Sequence, residues 1–164
     1  MGLDIVCEDS SARVGSYTNV HLLRYNLLIA VKKYLQNKIK NYKSEISDDQ
    51  DYQNNEITNN MSDLIIVLPL IAYLDELTEN NEINYDAFNK EKNEELGFFD
   101  LEGFMSFINH SDCDGVYDDA DCFLVTYEIV KEYIDDNYKN EDGDFYLEEV
   151  FRKSIDTGNT IYFC

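Results

Sequence analysis

GLDIVC, residues 2–7, alternates side chains in the manner of a strand, with Leu3, Ile5 and Cys7 on one face and Asp4 and Val6 on the other. NTIYFC, residues 159–164, reads the same way after a turn at Thr157-Gly158. Two strands at opposite chain ends are expected to share one small sheet and so tie both termini down. The polar residues 8–16 between the first strand and the next apolar run read as a loop.

The remaining periodicity is helical. Val20, Leu23, Leu27, Val31 and Leu35 form one stripe, with Asn19 as the expected cap. Residues 37–60 are polar and aperiodic, and they read as a long exposed loop or mobile insertion with little to bury. Ser62 can cap the apolar segment 64–77, in which Pro69 either kinks a helix or starts one. Residues 84–96 are weakly helical. Residues 100–109 form a short helix buried through Phe104, Phe107 and Ile108. Residues 118–137 form a longer helix anchored by Cys122, Val125, Ile129 and Tyr133, and 144–154 the last. The expectation is one α+β domain over 1–164, rich in helix, with a small sheet from the N- and C-terminal strands.

Thirty-four acidic against 13 basic residues leave a formal charge of −21. Such a surface repels phosphate backbones and anionic bilayers, which argues against nucleic acid and membranes as partners. Four cysteines in 164 residues lack the density of a secreted disulfide scaffold. There is no basic-then-apolar leader, and the run 64–74 is too short to span a bilayer. The expected location is therefore the cytoplasm, a host's if the protein is viral. Oligomeric state is not readable.

The richest stretch chemically is His110-Ser111-Asp112-Cys113-Asp114-Gly115. Read as a twelve-residue EF-hand-like loop, it places His110, Asp112, Asp114, Asp118 and Asp121 at positions 1, 3, 5, 9 and 12. Gly115 sits at the reversal, and Tyr117 at position 8 is the inward side chain. Alternate oxygen donors suit a hard divalent cation, calcium above all, although imidazole is a poor first ligand for it. A weaker echo spans 138–149, with Asn140, Asp142, Gly143 and Glu149. The two loop starts are 28 residues apart, too close for a familiar pair.

A second cluster is cationic. His21 and Arg24 share a helix face, and Arg13 precedes them with Gly15 and Ser16 between. Arg13, Ser16, His21 and Arg24 together make a candidate pocket for a small anionic, nucleotide-like ligand. The competing reading is structural: the arginines pair with Asp4, Asp112 or Asp114 and staple the N-terminal segment to the acidic loop. A zinc site from His110 and Cys113 with Cys122, Cys7 or His21 lacks a second clustered pair. Nucleophilic catalysis through Cys113 or Ser111 lacks a nucleophile elbow or phosphate loop, so an unknown hydrolase ranks last.

MGLDI at the start, RVGSY followed by His21 and Arg24, and HSDCDG occur together here. In that combination the chain resembles a family of small uncharacterised proteins from phages, bacteria and large DNA viruses. The resemblance covers both ends and the middle but not 37–60 or much of 80–96. It implies that Asp4, Arg13, Ser16, Tyr17, His21, Arg24, His110, Asp112 and Asp114 form one constellation, and it brings no activity. The absence of tryptophan and the acidic load depart from the family pattern. The functional expectation is a non-catalytic binding module whose acidic EF-hand-like loop holds a divalent cation or pairs with the arginines. The alternatives are a viral or phage accessory protein that captures a small anionic, nucleotide-like ligand through the arginine pocket and, last, an unknown hydrolase, with a protein partner left open.

Overall fold

The computed structural model describes residues 3–48, 54–88, 101–110 and 115–164. Four antiparallel strands lie in the order β2-β1-β4-β3: β1 (Leu3–Cys7), β2 (Ser10–Gly15), β3 (Gly115–Tyr117) and β4 (Ile161–Phe163). The terminal strands pair as expected, Ile5 opposite Phe163 and Val6 opposite Tyr162. Asp4 extends the pairing, exchanging backbone bonds with Cys164 at 2.6 and 2.9 Å. Leu3, Ile5, Cys7, Val14, Ile161 and Phe163 point into the core, while Tyr162 and Val116 stay outside.

Residues 8–16, expected as a loop, carry β2. Its inward positions hold Ser10, Ala12 and Val14, so the alternation is real but too weakly apolar to read in sequence. Pairing along all of β1 overrides the poor strand propensity of Ser, Ala and Gly. Gly15, at φ 92°, then turns the chain from strand into helix.

Helix α1 (Tyr17–Asp48) buries Val20, Leu23, Leu27, Val31 and Leu35 as the stripe requires. Its cap is Ser16 rather than Asn19. The Ser16 Oγ accepts from the Asn19 backbone N–H at 3.3 Å, and the Asn19 amide reaches back to the Val14 carbonyl. Most of 37–60 is helix and not loop: α1 runs to Asp48, and α2 (Asn54–Leu77) begins six residues later. Its Lys and Glu residues are sound helix formers. A polar helix without an apolar stripe gives the same sequence pattern as a loop. Lys32 and Asp75, 2.5 Å apart, link α1 to α2. Pro69 lies inside continuous α2 on its exposed side, where water can serve the Ile65 carbonyl that loses its helical donor.

Within 84–96, Tyr85–Ala87 form a single 3-10 turn, and 89–100 lie outside the described residues. Helix α3 (Leu101–Ile108) agrees with expectation. The segment 118–137 is shorter in helix than expected: α4 (Ala120–Val130) gives way to 3-10 turns at Lys131–Tyr133 and Asp136–Tyr138. Its buried face is Ala120, Phe123, Leu124, Tyr127 and Val130, whereas Val125 is half exposed. The period was legible and the phase was not, because apolar residues surround this helix on nearly every side. The last helix, α5 (Glu148–Thr157), ends at Gly158, φ 68°. No described helix is long and apolar enough to cross a membrane.

An aromatic cluster joins the helices to the sheet. The Phe107 ring lies 5.1 Å from Phe123, 5.3 Å from Phe151, 5.6 Å from Tyr117 and 6.2 Å from Phe163, centroid to centroid. Gly103 lets α3 approach α4 closely; a Cβ there would sit 2.1 Å from that of Cys122.

Candidate functional site

Helix α3 runs into the acidic segment, β3 lies within it and α4 leaves it, so 110–121 has a helix–loop–helix setting. Ser111, Asp112, Cys113 and Asp114 lie outside the described residues. His110 stacks on Phe163 of β4 at 4.5 Å and 16°. Its Nε2 is 2.8 Å from the Val116 carbonyl. A carbonyl only accepts, so this nitrogen carries a proton and is closed to a metal. His110 is thereby a framing residue that fixes the outer strand β3 to the end of α3. Its Nε2 does not play the first-ligand role expected for position 1.

The glycine has a different purpose from the one expected. Gly115 is not in the left-handed region, and a Cβ on it would come 2.3 Å from His110 Cε1. It makes room for the imidazole. Gly115→Ala is accordingly expected to destabilise the fold by about 1–3 kcal/mol. Removing the imidazole as well, in Gly115→Ala/His110→Ala, is expected to recover part of that loss in urea melts. Strictly additive losses would dissociate the glycine from the ring.

Tyr117 is the inward residue of the loop, 2% exposed and paired with Ile161. Its hydroxyl sits 3.0 Å from the Gly103 and Asp119 carbonyls, and burial raises its pKa well above the tyrosine range. It locks the exit of the loop onto α3 and α4. Asp119 accepts from Ser106 Oγ at 3.2 Å. Asp118 and Asp121 are exposed and line one cleft of 380 Å³ with Ser154, Ile155, Gly158 and Asn159, at the end of α5. The expected metal ligands therefore divide: Asp118 and Asp121 share a cleft, while His110 stands on Phe163. Among the described residues no three His, Cys, Asp or Glu side chains gather as a metal group.

The echo at 138–149 closes on itself. The Asn140 side-chain oxygen accepts from the backbone N–H of Asp142 and Asp144, both at 3.0 Å, with Gly143 at φ 86° completing the turn. Phe145, at its eighth position, bridges Lys139, whereas Tyr117 pairs with β4. Among the described residues the two loops are not joined by a β-bridge.

The cationic residues lie against different neighbours in the contacts described. Arg13, 71% exposed, faces Asp4 across the β1–β2 ladder at 3.8 Å. Ser16 is spent on the α1 cap. His21 Nδ1 is 2.8 Å from the Tyr85 hydroxyl, a partner that no spacing rule in the sequence indicates. Arg24 is 1% exposed, and its guanidinium lies 5.6 Å over the Phe107 ring. At that exposure it offers no surface to a ligand arriving from solvent, so these placements do not favour the anion pocket. Arg152, not singled out in the sequence, bridges Glu128 and Glu148, and Glu148 also accepts from Tyr127.

Cys7 is buried in β1 with its Sγ 3.7 Å from the Asn159 carbonyl. Burial, reinforced by Glu8, raises its pKa and disfavours the thiolate that zinc needs. Cys7 and Cys164 are free thiols. No family model, no curated protein and no solved structure matches this chain.

Proposed function

We propose that the protein is a non-catalytic binding module whose acidic segment 110–121 takes a divalent cation through carboxylates. The observation that carries this reading is the shared cleft of Asp118 and Asp121 at the exit of the helix–loop–helix. Two exposed carboxylates line it beside the C-terminal end of α5, whose backbone carbonyls add negative potential. Asp112 and Asp114 supply the further oxygen donors in this proposal, and His110 frames the loop without ligating through Nε2. Oxygen donors alone select calcium or magnesium over softer ions.

With no carboxylate at the first position, affinity falls near about 10⁻⁴–10⁻³ M. Calcium at about ten times its Kd then adds about 1.4 kcal/mol, a rise in Tm of about 3–5 °C. Asp121→Asn is expected to abolish that rise in a thermal melt. Asp9→Ala, in the β1–β2 turn, is expected to leave it intact. An equal response in both variants would reduce the effect to screening of the acidic surface.

A second reading of the same loop rests on Arg24. A guanidinium at 1% exposure needs negative charge close by. Its platform, Phe107, belongs to the helix that feeds the loop. On this reading Asp112 or Asp114 pairs with Arg24 and locks α1 to the acidic segment.

A further inference from the structure

The exposed side of α2 is apolar. Ile65 is 72% exposed, Leu68 55% and Ile66 37%, and Pro69 and Ala72 are exposed beside them. Ile65, Leu68, Pro69 and Ala72 recur at spacings of three, four and seven, which draws one stripe along the helix. The core-facing side is separately occupied by Val67, Leu70, Tyr73, Leu74 and Leu77. Among the described residues the stripe is therefore surplus to the core. Residues 64–74 contain no charged side chain, in a chain of net charge −21. Beyond them the surface turns acidic at once: Asp75, Glu76, Glu79, Glu82 and Asp86 are all exposed.

We propose that this face of α2 docks a basic amphipathic helix of a partner protein. Charge decides the occupant. An apolar strip that runs into an acidic end complements a helix with aliphatic residues at i, i+3, i+4 and i+7 and with Lys or Arg toward one end. The aliphatic anchors bury Ile65 and Leu68, and the cations meet the acidic end. A second copy of this chain would bring the same acidic end and its own −21 to the contact, so like charge opposes it. The inference is independent of the cation site, since no residue of 110–121 takes part.

The test uses the full chain and a defined probe, a fluorescent Leu/Lys amphipathic peptide of about five helical turns. Its controls are a scrambled peptide of the same composition and a Leu/Glu counterpart. At near-physiological salt, anisotropy is expected to show saturable one-to-one binding of the amphipathic Lys peptide and none of the Glu peptide. The Ile65→Ser/Leu68→Ser variant removes apolar surface without changing charge, and its affinity is expected to drop by about tenfold or more. Its unchanged circular dichroism melt would show the loss to be local, as exposed positions require. Equal binding by wild type and variant, equal binding of the scrambled peptide, or no saturable binding at all would overturn the proposal. So would sedimentation that shows a wild-type dimer dissolved by the same two substitutions, because the face then belongs to a second copy.

Discussion

Phe107→Ala is expected to lower the free energy of unfolding by about 3–5 kcal/mol. The ring is fully buried and lies between α3, α4, α5 and the sheet, touching Phe123, Phe151, Tyr117 and Phe163. Those neighbours belong to four different elements, so no single shift can close the space left behind. A domain of this kind has only about 5–15 kcal/mol to lose. The cavity also removes the platform beneath Arg24. Urea denaturation measures the effect. A loss below about 1.5 kcal/mol would mean that the cluster repacks freely and that Phe107 is not its centre.

Arg24→Ala is expected to be of similar size, about 3–5 kcal/mol, because it strands whatever negative charge the buried guanidinium holds. Arg13→Ala supplies the contrast. Its side chain is largely exposed and 3.8 Å from Asp4, so its loss is expected to cost less than about 1 kcal/mol. A double-mutant cycle of Arg24→Ala with Asp112→Ala, repeated with Asp114→Ala, identifies the partner. The locking role requires coupling above about 1 kcal/mol with one of the two aspartates. Additive losses with both would remove the acidic loop as the counter-charge of Arg24.

The parts of the fold that the sequence disclosed are those in which burial alone chose the residue. GLDIVC and TIYFC show a strand because Leu3, Ile5, Cys7, Ile161 and Phe163 all face the core. β2 was hidden because its core face uses Ser10 and Ala12, residues selected by proximity to β1 and not by hydrophobicity. The helical ends at 37–48 and 54–60 were hidden because their polar sequence shows no apolar period. On α4 the helix was legible but its buried face was not, since tertiary neighbours such as Phe104, Phe107 and Phe151 select Phe123 over Val125. In the candidate site, His110 and Gly115 stood out as a unit, and they are one. Their bond is steric and aromatic, and its third member, Phe163, is 53 residues away from His110 in the chain. Gly103 offered a local signal, an isolated glycine in an apolar helix, which marks the close approach to Cys122. Tyr85 as the partner of His21 offered none.

The cation reading depends on oxygen ligands that saturate, and titration calorimetry with calcium against magnesium at matched ionic strength tests it most directly. The expected result is a saturable one-site isotherm for calcium, with a Kd of about 10⁻⁴–10⁻³ M, that disappears in Asp121→Asn. A featureless titration with both ions up to millimolar concentration would contradict it and leave 110–121 as a structural turn.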